Sequence, residues 1–361
     1  MAIVKVDCMK KIENFSLWCD FVERDFLEGE FRAMIARGEI VGATSNPAIF
    51  ANAILNSGAY KSDIEKLRKD GKNAKAIYEN LAFSDIKSAA VSLLPLWEQN
   101  ANDGFISIEI DPTLCDDVGR SIDEGVRIWN ALNMPNVMIK VPATEAGFEV
   151  MSALYGRKIS VNATLIFSQN QVQKCLEAFG RANRGFDSND LIMNRNLDSA
   201  NLNESRAPKA VISIFVSRFD RYLEANPNAN PTNLTNPALD SSESNNNSAP
   251  KLGIYNAMKC YEMIENFGSP HIRALFASTG VKGDKIPSAY YVENLLLKNS
   301  VNTAPLATIR DFIKLDSGLI QVSPKIDSYL AQFEVDKIAQ NLLDAGLEAF
   351  KIEFEKMLKA I

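Results

Sequence analysis

The sequence predicts an α/β protein, folded as one (β/α)8 TIM barrel over residues 1–361 with extra helices around it. Three observations carry that expectation. Short apolar runs alternate with helix-period stretches from one end of the chain to the other, the pattern of parallel strands joined by helices. The runs number eight, and a closed barrel is the most economical pairing of eight parallel strands. Polar residues crowd the C-terminal ends of several runs, where Asn46 stands before Pro47, Glu109 shortly before Pro112 and Lys140 before Val141-Pro142.

In chain order, strands are expected at Phe15–Asp20, Ile40–Asn46, Phe105–Ile110, Val137–Val141, Ile159–Phe167, Ala210–Val216, Ala274–Thr279 and Ser300–Thr303. Most are rich in aliphatic and aromatic residues, which suit a pleated, buried surface. Helices are expected through Ile77–Trp97, then at Asp116–Leu132, Glu145–Leu154, Gln169–Arg181, Ile254–Asn266 and Ser288–Leu297. A long amphipathic helix, Val335–Lys359, closes the chain, with Ile338, Leu342, Phe350 and Phe354 at near-helical spacing. Two stretches, about 183–208 and 225–250, are rich in Asn, Ser and Pro, and the second holds eight asparagines. Such composition buries too little apolar surface to offset the entropy of ordering, so both read as surface insertions.

Hydrophobic residues make up 46% of the chain, enough for one large core or two smaller ones. A net charge of −6 without a long basic run argues against nucleic acid or an anionic membrane as a partner. No apolar run is long enough to span a bilayer, and Met1–Asp7 lacks the apolar core of a signal peptide. A cytoplasmic location is the expectation. Five scattered cysteines without a Cys-x-x-Cys pair argue for reduced thiols over disulfides or a zinc site. His271 is the single histidine, so a Ser-His-Asp triad or a His-rich metal centre would rest on it alone. No metal and no cofactor is expected; a homodimer is compatible with the sequence, which does not settle the assembly.

Alternation along a strand sends successive side chains to opposite faces. On that basis Glu109 shares a face with Ser107, Lys140 with Met138, Asn162 and Thr164 with Ser160, and Ser213 with Phe215. Thr44 and Asn46 fall together, as do Ser16, Trp18 and Asp20, while Phe276 and Ser278 oppose Leu275 and Ala277. One face of every barrel strand points inward, and an interior of Asp, Glu, Lys, Asn, Thr and Ser departs from the usual branched aliphatic filling. A satisfied polar residue at one strand end is ordinary. The same bias on six strands points to a site at the C-terminal end, where barrel enzymes build theirs.

Lys140 is the most informative of these residues. It lies in Val137-Met-Ile-Lys-Val-Pro142, which reads as buried, and lysine is rarely buried unless it is paired or neutral. Desolvation favours the neutral amine, a nucleophile toward carbonyls. An edge-strand or snorkelling lysine is the plainer alternative for this segment taken alone. Beside Glu109 and Asp20 the amine suits Schiff-base chemistry, in which carboxylates move the protons and an iminium serves as electron sink. Asn46 and Asn162 can hold hydroxyls without titrating. Arg218, just beyond the sixth strand, and Lys282, just beyond the seventh, suit a phosphate along with the Ser278 hydroxyl.

Gly42-Ala-Thr-Ser-Asn-Pro-Ala-Ile-Phe50 resembles the Thr-x-Asn-Pro signature of transaldolases, and Val137-Met-Ile-Lys-Val-Pro-Ala-Thr144 resembles the segment bearing their Schiff-base lysine. Val161-Asn-Ala-Thr-Leu-Ile-Phe-Ser168 and Ile212-Ser-Ile-Phe-Val-Ser-Arg218 are similar to their fifth- and sixth-strand motifs, in the same order. The resemblance implies a class I enzyme of the pentose phosphate pathway that needs no metal. Such an enzyme moves a dihydroxyacetone unit from sedoheptulose 7-phosphate to glyceraldehyde 3-phosphate, giving erythrose 4-phosphate and fructose 6-phosphate. It implies Lys140 as the nucleophile, Asp20 as the acid/base group for the C4 hydroxyl, and Glu109 acting through a water near Thr164. Asn46 and Asn162 would hold the dihydroxyacetone hydroxyls, Ser213 and Phe215 would line the site, and Arg218 and Ser278 would meet the phosphate. Members with a second phosphate arginine two residues past the serine have no match, because Gly280 stands there; Lys282 is the expected substitute, as a point charge. Related aldolases that release free dihydroxyacetone carry Gln and Tyr where this chain has Glu109 and Phe215, which favours transfer. A non-catalytic sugar-phosphate-binding barrel is the rival from another class, and it would bind without covalent capture.

Overall fold

The computed structural model describes residues 9, 11–185, 207–229, 251–315 and 326–361. Eight parallel strands close into a barrel in sequence order: β1 (Ser16–Cys19), β2 (Gly42–Thr44), β3 (Ile106–Glu109), β4 (Val137–Pro142), β5 (Val161–Ile166), β6 (Ala210–Phe215), β7 (Ile272–Ala277) and β8 (Ser300–Ala304). Helices α1 (Arg24–Glu28) and α2 (Glu30–Ala36) follow β1, and α3 (Pro47–Asn56), α4 (Lys61–Lys69) and α5 (Ala74–Gln99) follow β2. Single helices α6 (Val118–Leu132), α7 (Glu145–Gly156) and α8 (Gln169–Gly185) follow β3, β4 and β5. After β6 come α9 (Ser217–Ala225) and α10 (Leu252–Phe267), and after β7 comes α11 (Tyr290–Asn294). The chain ends with α12 (Leu306–Phe312), α13 (Ile326–Leu330) and α14 (Val335–Ala360). The expected barrel and long C-terminal helix are both present. The Asn-rich stretches at about 183–208 and 225–250 lie almost wholly outside the described residues.

The outer faces of the strands form the barrel-to-helix core. Val137, Ile139, Val141, Ile212 and Ile214 are all fully buried. A Cβ at Gly125 in α6 would lie 2.9 Å from Leu154 in α7 and 3.4 Å from Ile139, so this glycine lets both helices close on β4. Ile139 therefore faces outward, and Lys140 beside it faces in.

Several strands differ in extent from the apolar runs that announce them, and the reasons are local. The second run stops at Thr44 because Asn46 leaves the ladder to cap α3, its Oδ1 accepting from the Ile49 N–H at 2.9 Å. Leu165, at φ 57°, breaks the alternation of β5, and the register with β6 shifts between Ala163 and Ile166. The seventh strand begins two residues earlier than expected, so that it includes Arg273, and ends at Ala277 because Ser278 turns left-handed at φ 54°.

Arg273 explains how a strand accepts a buried arginine. At the N-terminal end of the barrel its guanidinium donates to the carbonyls of Asn14 (2.6 Å), Asn102 (2.8 Å) and Ser300 (2.8 Å) and to the Ser16 hydroxyl (2.8 Å), which itself donates to Asp103. Burial pushes this guanidinium down to about 10, against the pull of Asp103. The network closes the floor opposite the site. Arg273→Met is expected to cost about 3 kcal/mol or more, because it strands buried acceptors, and thermal denaturation read by circular dichroism checks it.

Helix α14 runs across the other end. It packs on α3 after β2, on the turn Pro112–Leu114 after β3, on β5 and on α9 after β6, all at the strands' C-terminal face. Phe354 meets Tyr78 edge-on at 5.3 Å, and Gly346 passes so close to Leu165 and Arg218 that a Cβ there would lie 3.0 and 3.3 Å from them.

Candidate active site

Lys140 projects into the barrel at the end of β4 and is only 5% exposed. Its Nζ donates to the Ser45 carbonyl at 3.1 Å and stands 3.7 Å from Glu109 Oε2. The Ser45 carbonyl is held in place because its own N–H (3.3 Å) and hydroxyl (2.8 Å) both donate to the Ser107 carbonyl. From α14 the Phe350 ring covers the amine, its centroid 6.0 Å from Nζ. The amine therefore has one apolar wall, one neutral acceptor and one carboxylate.

The register explains why these groups meet. Glu109 lies opposite Lys140 across β3 and β4, and Lys140 lies opposite Asn162 across β4 and β5. Both Glu109 carboxylate oxygens are buried without a hydrogen-bond partner among the described residues. Burial pushes the Glu109 carboxyl up to about 7; Lys140 pulls it down, and Asp20 pushes it further up. Asp20 follows β1 and accepts from the Thr44 hydroxyl at 2.6 Å, and that hydroxyl is 2.8 Å from Thr303 Oγ1. Burial also raises the Asp20 carboxyl, against the pull of Lys140 and the Thr44 hydrogen bond.

The other expected residues divide by how they are held. Asn162 is fully buried, donating to Ser107 Oγ at 2.9 Å while its Oδ1 accepts from Ser213 Oγ at 2.6 Å, so it is fixed in orientation. Thr164 Oγ1 is buried and has no protein partner among the described residues. Asn46 spends its oxygen on the α3 cap, which leaves its NH2 group as the donor for a ligand. Phe215 stacks on Phe167, ring centroids 5.2 Å apart, and the Arg218 guanidinium lies 5.2 Å from the Phe215 ring centre. Ser278 Oγ is 3.0 Å from Ser217 Oγ.

Lys282 is not brought to that serine pair: it lies exposed on the loop after β7. Arg221, which the sequence reading passed over, donates instead to Ser278 Oγ at 3.3 Å and Ser217 Oγ at 3.4 Å. Its signal was its position three residues after Arg218, one turn along the same helix. Gly280 has its own physical reason, since a Cβ there would lie 2.9 Å from the Pro305 ring. Phe350 and the Ser45 carbonyl were also missed, the first because its helical period marks it as core and the second because it is backbone.

A closed barrel with a buried amine beside two carboxylates whose proton affinity burial raises defines a barrel enzyme equipped for carbonyl chemistry. Over residues 17–361 the chain matches the family model described as Transaldolase/Fructose-6-phosphate aldolase. It is 48% identical over 355 residues to a transaldolase of Campylobacter jejuni subsp. jejuni (strain 81-176), covering 97% of this chain and 100% of that one. A transaldolase of Helicobacter pylori (strain Shi470) is 43% identical over 357 residues, again covering 97% of this chain and 100% of the relative. A crystal structure of a fructose-bisphosphate aldolase from Campylobacter jejuni aligns over 99% of this chain and 93% of its own at 9% identity and a TM-score of 0.36, too slight a likeness to add to the strand order. The chain belongs to the transaldolase/fructose-6-phosphate aldolase family. It is an enzyme that transfers aldehyde or ketone residues by way of a lysine Schiff base, with sugar phosphates as its substrates.

Proposed function

We propose that Lys140 is the Schiff-base nucleophile of a transaldolase reaction from sedoheptulose 7-phosphate to glyceraldehyde 3-phosphate. The observation that carries this reading is the amine itself, buried at the C-terminal end of β4 and 3.7 Å from Glu109. The amine attacks the ketose carbonyl, and the resulting carbinolamine loses water as Glu109, directly or through a water near Thr164, supplies the proton. Asp20 accepts the C4 hydroxyl proton; the C3–C4 bond breaks, its electrons pass into the iminium, and erythrose 4-phosphate leaves. The dihydroxyacetone enamine left on Lys140 then attacks the aldehyde of the acceptor, Asp20 returns its proton, and hydrolysis frees fructose 6-phosphate. Asn46 and Asn162 hold the hydroxyls of the three-carbon unit while Ser213 and Phe215 line the site. Arg218 and Ser278 meet the phosphate.

The test is a transfer assay. With sedoheptulose 7-phosphate and glyceraldehyde 3-phosphate, erythrose 4-phosphate is expected to appear in step with fructose 6-phosphate; release of free dihydroxyacetone in its place would make the enzyme a cleaving aldolase. Because the iminium is the electron sink, activity is expected to survive exhaustive dialysis against EDTA, and its loss there would contradict the lysine mechanism.

The same reading places the enzyme in the cytoplasm as a single barrel domain, with a homodimer as the assembly to test. Among the described residues no helix is long and apolar enough to cross a membrane. Cys19, Cys115, Cys175 and Cys260 are free and buried, as reduced thiols should be. Light scattering on the purified protein checks the assembly.

A further inference from the structure

We infer that Arg221 is the second cation of the phosphate end of this site, acting with Arg218 and the Ser217–Ser278 hydroxyl pair on the substrate's terminal phosphate. The inference rests on the transaldolase reading given above and names a specificity-determining residue within it.

Spacing comes first. Arg218 and Arg221 are three residues apart on α9, so their side chains leave neighbouring positions of one helix face. Arg218 lies over Phe215, at the end of the strand that also carries Ser213, and close to Gly346 of α14, one turn before the Phe350 ring that covers Lys140. Arg221 turns toward the end of β7, where Nη2 reaches both serine hydroxyls and Nε approaches the Ser217 carbonyl at 3.4 Å. The two elements are tied by the Ser217 N–H donating to the Ser278 carbonyl at 3.1 Å.

Charge points the same way. Among the described residues neither arginine has a carboxylate within ion-pair distance, in a chain with 45 acidic residues to draw on. Two guanidiniums held in one partly buried corner without an ion-paired carboxylate repel each other and lose hydration, so the corner suits a dianion supplied from outside. Burial lowers both groups and the nearness of Arg221 lowers Arg218 further, while Tyr291, Glu224 and Asp220, beyond ion-pair contact, pull Arg221 part of the way back. Ser278 adds a third observation. It is a serine in the left-handed region at φ 54°, a costly conformation that is kept where a side chain must be aimed, and here it aims Oγ at Ser217 and Arg221. The loop beyond cannot provide the charge at position 280, where Pro305 blocks a side chain, and Lys282 is exposed.

The experiment compares Arg221→Met, Arg221→Lys and Lys282→Met with the unaltered protein. It reads KM and kcat for fructose 6-phosphate as donor, the thermal shift caused by inorganic phosphate, and borohydride capture of dihydroxyacetone, which carries no phosphate. Arg221→Met is expected to raise KM by about 10- to 100-fold, with kcat changed far less, and to abolish the phosphate shift. Arg221→Lys is expected to fall between, because a point charge replaces the fork. Either Arg221 variant at the unaltered KM, or a larger loss of phosphate affinity in Lys282→Met than in Arg221→Met, overturns the assignment. Dihydroxyacetone capture keeps the two levels apart: a variant that captures it is folded, and an unaltered protein that captures nothing defeats the Schiff-base reading instead.

Discussion

Replacing Lys140 with methionine is expected to lower kcat by at least about 10⁴-fold while leaving a folded barrel. Methionine keeps the length and apolar stem of the side chain but has no amine to attack a carbonyl, so every step after substrate binding is lost. The fold is expected to tolerate the change. Phe350 and Met138 already give the site apolar neighbours, and Glu109, pushed up to about 7, can take a proton once the amine that pulls it down is gone. Steady-state assays with sedoheptulose 7-phosphate and a thermal melt check the two halves. Turnover within tenfold of the unaltered enzyme would place the nucleophile elsewhere; a melt showing no folded state would make Lys140 structural.

The second large effect is at Glu109. Glu109→Gln keeps the shape and removes the titrating group, and kcat is expected to fall by about 10²- to 10⁴-fold, the range a positioned acid–base contributes. The limb of the pH–kcat profile near 7 should vanish with it. Stability should move the other way. The folded carboxyl holds its proton up to about 7, whereas the unfolded one releases it near its ordinary 4.5, so between these values the native state binds more protons than the unfolded chain. Stability contributed by protonated Glu109 is therefore lost as pH rises through that window, and the penalty is fully present above 7. Relative to the unaltered protein, Glu109→Gln should gain on the order of 3 kcal/mol between pH 4.5 and 8. Denaturant melts at several pH values read this difference directly, and a difference independent of pH would show that burial does not hold the proton on Glu109.

The reach and the limits of the sequence have physical causes. Lys140, Glu109 and Asn162 were legible because strand alternation depends on spacing alone, and the barrel's register then sets them side by side. Asp20 was legible as a carboxylate at a strand end, though its contact with Thr44 required knowing that β1 and β2 pair. Alternation misled at Ser278, which it assigns to the face of Phe276; a left-handed residue breaks period two, and only glycine or asparagine announces such a conformation in sequence. Arg221 was hidden because a charged residue early in a helix after a strand is usually solvated, and nothing local says that Ser278 comes back toward it. Lys282 was favoured for its closeness in sequence to Ser278, which a loop need not turn into closeness in space. Arg273 was left out of its strand because four hydrogen bonds from distant segments, invisible in the local pattern, are what make its burial tolerable.

The most direct measurement is borohydride reduction of the purified enzyme in fructose 6-phosphate, followed by peptide mass mapping. A reduced three-carbon adduct on Lys140, absent from Lys140→Met, is the predicted result. An adduct on a different lysine, or none at all from an active enzyme, would contradict covalent capture by the buried amine of β4.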